Sequence, residues 1–468
     1  MIPDPPSTPF FTPDRRAMRK KIWQLTLPVI LANITVPFVG MVDTAVMGHF
    51  DSAHYIGAVA MGSFLFSLIS ISFGFLRMAT TGLVAQSHGA DDRPGVVLNY
   101  LRAVAMALML GVLMVVLAQP IIMLARQFLS ASEPVLDGMA VYMTIVAFAA
   151  PAVFLNMVGL GLLFGLQRVN SCLIQLVAIN CINIAVNLIL VIGLGMKIEG
   201  VALATVLAQY TGTGVMVWLV IRAVGHPRDW PWPPVREVVS LSALAEYFGL
   251  GRDLTIRTFG IMLGEMLVLN SSASLGDVEL AATQLGFVLF GIIAYGLDGF
   301  AHAAESLVGE AIGRRDRARL KQAIEEGTIM AFAMAVVFGG IIFFGAGLFF
   351  RLMTSLPEVL MTIDSLIPWL AAIPVISVFA FMMDGVFVGA TRARIMRDAM
   401  VMSVVVFIPA IYFGHMMFGL HGIWAAFLFL LGVRGGTLWL RLDRVYEKAT
   451  PDINTPECNT PDDSNFRI

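Results

Sequence analysis

A succession of apolar stretches about 20 residues long, separated by short polar loops, constrains this chain more than any single motif does. Each stretch is long enough for a helix to cross the hydrocarbon core of a bilayer. The chain is 58% hydrophobic and 13% charged, whereas soluble domains carry about 25% charged residues. We therefore predict an all-α integral membrane protein with twelve transmembrane helices, near residues 22–49, 54–86, 95–119, 137–166, 170–192, 200–222, 247–272, 279–311, 322–350, 361–389, 397–418 and 421–443.

Lysine and arginine residues fall mostly on one side of these predicted spans. The N-terminal segment and the loops after even-numbered spans carry nearly all of them, while the opposite loops hold only Arg126, Lys197 and Arg351. Since Lys and Arg are enriched in cytoplasmic loops, we expect both termini to be cytosolic. The predicted location is the plasma (inner) membrane of a bacterium, crossed many times.

Charge and cysteine spacing exclude several classes of function. A net charge of -2 gives no basic surface for nucleic acid. The three cysteines have neither zinc-binding nor disulfide-framework spacing, so we expect no metal site. No span combines a nucleophile with a base in a reactive arrangement, and we predict no catalytic residue, no enzyme activity and no cofactor beyond a coupling ion. We predict no obligate protein partner.

The two halves of the sequence resemble each other at a constant offset of 224 residues. Ile56–Phe66 resembles Leu280–Phe290, and the same offset relates Gly89 to Gly313, Gly165 to Gly389 and Arg168 to Arg392. We call it the repeat offset. With six spans each, both halves have the same orientation, which makes a parallel repeat about an axis along the membrane normal, as in some secondary transporters. The predicted organisation is a cytosolic basic tail (1–21), an N-terminal six-helix bundle (22–222), a cytosolic linker (223–246), a C-terminal six-helix bundle (247–444) and a disordered cytosolic tail (445–468).

The first predicted span contains one acid, Asp43, and two prolines, Pro28 and Pro37. A carboxylate inside a membrane span is costly and indicates function by default, although Asp43 could instead lie in the interface beyond the end of the helix. Each proline removes a backbone hydrogen bond and would let the helix bend. We predict that Asp43 is a protonation site and that its protonation is coupled to bending of this helix.

Uncharged polar residues occur at a similar depth in the N-terminal half. Asn180, Asn183 and Asn187 fall on one face of the fifth span, and Thr205 lies near the outer start of the sixth. With Asp43 they would line a pocket for the coupling ion or substrate. They would equally serve as hydrogen-bonding contacts between membrane helices.

The C-terminal half has its own ionisable set, Glu265, Asp298, Glu305 and Asp384. Arg77, in the second span, needs a charged partner or a route to the headgroups. We expect it to meet Glu305 or Asp384 across the two halves and so to form an inner gate. The alternative is that these residues form static pairs that hold the bundles together.

Four stretches carry a family resemblance in their order along the chain: Leu27–His49, Phe75–Gln86, Leu297–Glu305 and Asp384–Arg397. Together they resemble the DinF branch of the multidrug and toxic compound extrusion (MATE) transporters. The resemblance implies a twelve-helix, V-shaped antiporter that expels cationic or lipophilic small molecules in exchange for protons or sodium ions. It also implies a proline-bent first helix, for which Pro28 is the match.

One position departs from the family pattern. Many relatives carry an aspartate where this chain has Asn187, so one carboxylate of the N-terminal pair is missing. A sodium ion favours several anionic or carbonyl oxygens, whereas a proton needs one titratable group. This difference favours proton coupling through Asp43. The alternative is sodium coupling in the C-terminal bundle, where the resemblance implies cation binding near Glu265 and Asp384.

These features give a predicted transport cycle. Deprotonated Asp43 would attract a cationic substrate from the cytosolic side, and protonation from outside would release it. A flippase for lipid-linked precursors, from the wider superfamily, is the alternative of a different kind. It would need a large cationic cavity, and the ionisable residues that we identify at cavity depth are acids, which argues against it.

Overall fold

A computed structural model of the chain describes residues 13–34, 52, 54–129 and 131–449. Within these residues every regular element is a helix, which confirms the all-α class. The α-helices are α1 Pro13–Ile34, α2 His54–Ser72, α3 Phe75–Gly89, α4 Arg93–Phe128, α5 Glu133–Val146, α6 Ala150–Gly165, α7 Val169–Asn187, α8 Ile198–Val224, α9 Val235–Val238, α10 Leu241–Ala273, α11 Asp277–Gly313, α12 Arg317–Met353, α13 Pro357–Gly389, α14 Ala393–Trp439 and α15 Asp443–Tyr446.

The helices account for the twelve predicted spans. Nine helical segments of the described chain are long and apolar enough to cross a membrane, with α2 and α3 forming one of them and α5 and α6 another. One of the nine, α14, changes direction at Gly419, which has φ 55° and ψ -131°, so it supplies two spans. The remaining two are α10 and α1, whose charged residues set them apart from the others. The twelve-helix arrangement is confirmed.

Helix α1 begins at Pro13, within the segment predicted as a tail. Its first turns are held against α12 of the other half, because Arg15 and Arg19 lie 3.0 Å and 2.5 Å from the carboxylate of Glu326. The Glu326 side chain is fully buried. These contacts explain why a basic and polar stretch is helical and packed, which hydropathy does not indicate.

The internal repeat is present in the backbone geometry. Four non-glycine residues of the described chain have positive φ: Asp91 and Arg315, both at 54°, Gln167 at 59° and Thr391 at 52°. The repeat offset relates Asp91 to Arg315 and Gln167 to Thr391, and each residue lies in the turn after a helix that ends in glycine. We call the end of the protein that carries these four turns the basic end, since the predicted Lys- and Arg-rich loops lie there.

The helix caps follow the same repeat. An Asp92 carboxylate oxygen accepts a hydrogen bond of 2.9 Å from the Gly95 amide at the start of α4. Asp316, its equivalent at the repeat offset, accepts one of 2.9 Å from the Arg319 amide at the start of α12. Equivalent N-caps at equivalent helices are what a duplicated six-helix unit produces.

Two glycines set the close crossings that position the charged helices α3 and α11. A Cβ added at Gly161 of α6 would lie 2.6 Å from the Arg77 carbonyl oxygen of α3. A Cβ at Gly385 of α13, the equivalent position in the second half, would clash with the Ala301 carbonyl of α11. Only glycine lets these backbones approach so closely, and the same crossing is used in both halves.

The chain after the last span continues as helical turns through Ala449. Lys448 donates hydrogen bonds to the Ala390 carbonyl (2.9 Å) and to the Thr391 hydroxyl (2.8 Å), so this part of the predicted disordered tail is docked on the turn after α13. Burial, together with nearby Arg392, lowers the pKa of the Lys448 ammonium. Residues 450–468 lie outside the described part of the chain.

Candidate functional site

A cavity of about 420 Å³ lies mainly in the C-terminal half and reaches α1 and α3 of the N-terminal half. This volume is in the range of sites for small organic molecules. All four acids of the predicted C-terminal set line it, as does Arg77. Its apolar wall includes Met78, Phe290, Phe381, Met400 and Phe427.

An ion pair between the two halves lies on the wall of this cavity. Arg77 Nη1 of α3 is 3.0 Å from Glu305 Oε2 of α11. The Arg77 guanidinium also lies over the ring of Phe164, 5.7 Å from its centroid. Of the two acids that the sequence offered as partners for Arg77, the structure therefore brings Glu305 to it.

His302 completes a three-residue cluster with this pair. Its Nδ1 lies 3.3 Å from Arg77 Nη1 and 3.4 Å from Glu305 Oε1. Its ring packs against Phe164, with centroids 4.8 Å apart. The same Nδ1 faces a donor, Arg77, and an acceptor, Glu305, so it can accept from the guanidinium or donate to the carboxylate, but not both at once.

Asp384 has different partners from those predicted. Its Oδ2 accepts hydrogen bonds from Arg257 of α10 and Arg434 of α14, and all three side chains are buried. The sequence reasoning missed both arginines, although the signal was present, because each lies inside a predicted membrane span. The inference that the ionisable residues at cavity depth are acids was therefore wrong.

The other two acids of the cavity make no direct ion pair in the described part of the chain. Glu265 and Asp298 are half-buried, and neither carboxylate makes an ion pair or hydrogen bond with any residue that the structure describes. The lining holds four acids against three arginines. This excess of carboxylates over arginines favours a cation over an anion.

The N-terminal polar set is partly brought together. Asn183 is buried and its Nδ2 donates to Thr205 Oγ1 at 3.5 Å. Asn187 is fully buried and Asn180 is half-buried. Immediately after Asn187 the helix changes to a π-helical turn over Leu188–Gly193. Such turns are frequent at functional sites.

Residues Asp43 and Pro37 fall in 35–51, outside the described residues, and Pro28 lies inside α1. The end of α1 nonetheless leads to the cavity. Asn33 lines it, and the Asn33 Nδ2 donates to the Tyr295 carbonyl of α11 at 3.4 Å. The last described turn of α1 therefore lies on the cavity wall.

Further contacts join the halves on the basic side of the cavity. Gln86 Nε2 donates to the Gly389 carbonyl at 2.8 Å. Gln167 Nε2 and Lys21 Nζ lie 2.6 Å and 2.9 Å from Glu310 Oε2, and both come from the N-terminal half. The two halves are thus closed against each other at the basic end.

Comparison with known proteins agrees with this architecture. The MatE family model matches residues 28–189 and 255–413, one match in each half. DNA damage-inducible protein F of Escherichia coli (strain K12) is 34% identical over 427 residues, which cover 90% of this chain and 92% of that protein. The probable multidrug resistance protein NorM of Thermotoga maritima is 23% identical over 348 residues, 73% of this chain and 74% of that one.

The fold is also that of a solved structure. A crystal structure described as MATE in the bent conformation superimposes with a TM-score of 0.82, at 20% sequence identity, over 94% of this chain and 99% of its own. The two family-model matches and the 34% identity over nine-tenths of the chain establish the relationship more directly. The chain belongs to the MatE family, the multidrug and toxic compound extrusion transporters.

Proposed function

We propose that this membrane transporter is a proton-coupled antiporter that exports cationic or lipophilic small molecules, with Asp43 as the protonation site. The observation that carries the proposal is a carboxylate-lined cavity placed next to an ion pair between the two halves. The name of the Thermotoga relative, a probable multidrug resistance protein, supports the substrate class.

Closure at the basic end supports alternating access. The Lys- and Arg-rich loops at this end support a cytosolic location for it. The contacts of Arg77, Gln86 and Glu310 across the halves would have to break before a substrate could enter from there. Glu305 lies eight residues before the end of α11, and Asp298 lies seven residues further from that end. At about 1.5 Å per residue the acids of the cavity extend some 10 Å beyond the ion pair.

The charges of the cavity support a cationic substrate. Glu305 and Asp384 each form an ion pair with arginine, whereas Glu265 and Asp298 make no direct ion pair with any described residue. The aromatic and methionine side chains of the wall offer apolar contact and adapt in shape. A lipophilic cation satisfies both features.

Two observations favour a proton over a sodium ion as the coupling ion. Asp384, one of the acids at which sodium coupling would be expected, is already bound by Arg257 and Arg434. In the N-terminal bundle Asn187 offers an amide where a second carboxylate would be needed. Asp43 then remains as the one carboxylate of the predicted N-terminal pocket, and one titratable group suffices for a proton.

The test is transport of a fluorescent lipophilic cation in proteoliposomes, driven separately by a pH gradient and by a sodium gradient. We expect the pH gradient alone to drive exchange in the wild type and Asp43→Asn to reduce it at least tenfold. Asp229→Asn, the same change at an exposed position of the linker, should transport normally.

Each alternative has its own outcome in this assay. Exchange driven by sodium, or retained in Asp43→Asn, would contradict the proposal and move the coupling site to the C-terminal bundle at Glu265. Movement under neither gradient, with movement of a fluorescent lipid instead, would favour the flippase.

A further inference from the structure

Three arginines surround a buried aspartate where α10 packs against α14. Asp253 Oδ1 accepts hydrogen bonds from Arg252 Nε (3.1 Å) and Arg397 Nη1 (2.8 Å). Arg394 Nε lies 4.0 Å from Asp253 Oδ2. The Asp253 side chain is 3% exposed, so its carboxylate is a fixed internal support for the guanidinium groups. We call these four residues the arginine cluster.

The exposed edge of the cluster is positive. The side chains of Arg394 and Arg252 are 83% and 61% exposed, while that of Arg397 is 27% exposed and is also bound to Asp398 at 2.7 Å. Three arginines face two aspartates, and the aspartate between them is buried. Donor groups of Arg252 and Arg394 therefore remain available at the surface.

The arginine cluster lies near the basic end of the protein, beside an exposed apolar surface. Arg394 is the second residue of α14, at the basic end of the protein. Large apolar side chains of the same two helices are exposed further along, among them Phe259 and Val401, as expected of a surface that faces lipid tails. The charged groups thus lie where this surface meets the aqueous phase.

The internal repeat shows that the fold does not require these charges. The repeat offset relates Arg394 to Asn170 and Arg397 to Leu173, at the corresponding start of α7. The position equivalent to Asp253 at this offset is Val29 of α1, which is buried. The N-terminal half packs its equivalent helices without an ion pair at these positions, so the cluster is an addition in the C-terminal half.

We propose that the arginine cluster binds the phosphate of an anionic phospholipid of the cytosolic leaflet. Guanidinium groups match phosphate oxygens in a bidentate geometry, and Arg252 is held for such contact by Asp253. Basic pockets between membrane helices on the cytoplasmic side are suited to anionic headgroups. The lipid tails would lie along the exposed apolar side chains of α10 and α14.

The experiment is lipid retention by the purified full-length protein, measured by native mass spectrometry with phosphatidylglycerol and with phosphatidylcholine. We expect the wild type to prefer phosphatidylglycerol. The double variant Arg252→Gln with Arg394→Gln should weaken phosphatidylglycerol binding about tenfold or more, because each arginine near the headgroups contributes to attraction. Phosphatidylcholine binding should not change.

The control removes the same charge elsewhere at the basic end. Arg317→Gln with Arg444→Gln, two exposed arginines at the start of α12 and in α15, should retain the preference. Equal loss in both double variants, or no loss in either, would overturn the proposal. Binding of inorganic phosphate alone that depends on the cluster, without a preference for phosphatidylglycerol, would also overturn it in favour of a free anion. Should the double variant fold poorly, Arg394→Gln alone tests the same point, since that side chain is the most exposed of the cluster.

Discussion

At the scale of single residues, the ion pair between Arg77 and Glu305 joins the two halves on the wall of the cavity. The Glu305 side chain is 3% exposed and that of Arg77 is 16% exposed. Removing one member of a pair this buried leaves the other charge without a partner, which costs about 3–5 kcal/mol of stability. A gate that must open needs compensation in the other state, which water or a substrate can supply.

Charge reversal tests this pair. Arg77→Glu places a second carboxylate beside Glu305, and we expect transport of the fluorescent cation in proteoliposomes to fall more than tenfold. Combining it with Glu305→Arg restores opposite charges and should recover a large part of the rate. The matched control reverses Arg126 and Asp137, an exposed pair 2.6 Å apart near the other end of the protein. That control should transport normally in every combination. Failure of the double reversal to restore transport would mean that the pair is not a gate.

The sequence identified the four acids of the C-terminal set as candidate functional residues, but not the cavity that they line or how they pair. Glu265, Asp298, Glu305 and Asp384 all lie on its wall, as costly carboxylates in membrane spans should if they serve a site. The partner of Asp384 depends on how three helices, α10, α13 and α14, cross, and this geometry has no local signature in the sequence. The rule that an ionisable residue inside a membrane span indicates a functional site also applies to Arg257 and would have identified it.

At the scale of elements, the repeat determines how the long helices cross at the basic end. A Cβ at Gly89, the last residue of α3, would clash with the backbone of Glu310 in α11. A Cβ at Gly313, the last residue of α11, would clash with the backbone of Gln86 in α3. The repeat offset relates the two glycines, so each half presents the same surface to the other.

Alanine at these glycines should loosen the crossing. We expect Gly89→Ala or Gly313→Ala to destabilise the closed protein by about 1–3 kcal/mol, as overpacking does, which is measurable as a lower midpoint of thermal unfolding in detergent. Gly340→Ala provides the control, because a Cβ at this position of α12 would meet no atom within 4 Å. There the higher helix propensity of alanine should leave stability unchanged or slightly raised. Equal effects at all three glycines would show that the crossing is not tightly packed.

The elements themselves were largely predictable, because apolar length and loop polarity identify spans without knowledge of packing. The start of α1 was not. Residues 13–21 look like a soluble basic tail by hydropathy, and they are helical in the structure where Arg15 and Arg19 meet a buried glutamate of α12. A contact between residues so far apart in sequence cannot be read from the local pattern.

At the scale of the whole molecule, the closed basic end is held by a symmetric arrangement. Gln86 of the first half contacts the turn that contains Thr391 in the second, and Glu310 contacts Gln167 in the equivalent turn of the first half. The repeat offset relates Gln86 to Glu310 and Gln167 to Thr391. A parallel repeat therefore closes on itself with two equivalent contacts, and opening at the basic end must break both.

Covalent fixation of one such contact should arrest the transport cycle. In a background without the three native cysteines, Gln86→Cys with Thr391→Cys places two thiols at positions whose longer wild-type side chains are in hydrogen-bond contact across the halves, with Gln86 Nε2 3.3 Å from Thr391 Oγ1. Because cysteine is shorter than glutamine, the two thiols are joined with a short bifunctional methanethiosulfonate, whose bonds to the thiols are cleaved by reductant. Cross-linking should abolish exchange in proteoliposomes, and reductant should restore it, because alternating access requires the halves to separate at this end. Ser87→Cys with Asn99→Cys, at two positions in hydrogen-bond contact within the N-terminal half, should leave exchange unaffected when cross-linked. Full exchange by a cross-linked Gln86–Thr391 pair would mean that the basic end does not open during transport.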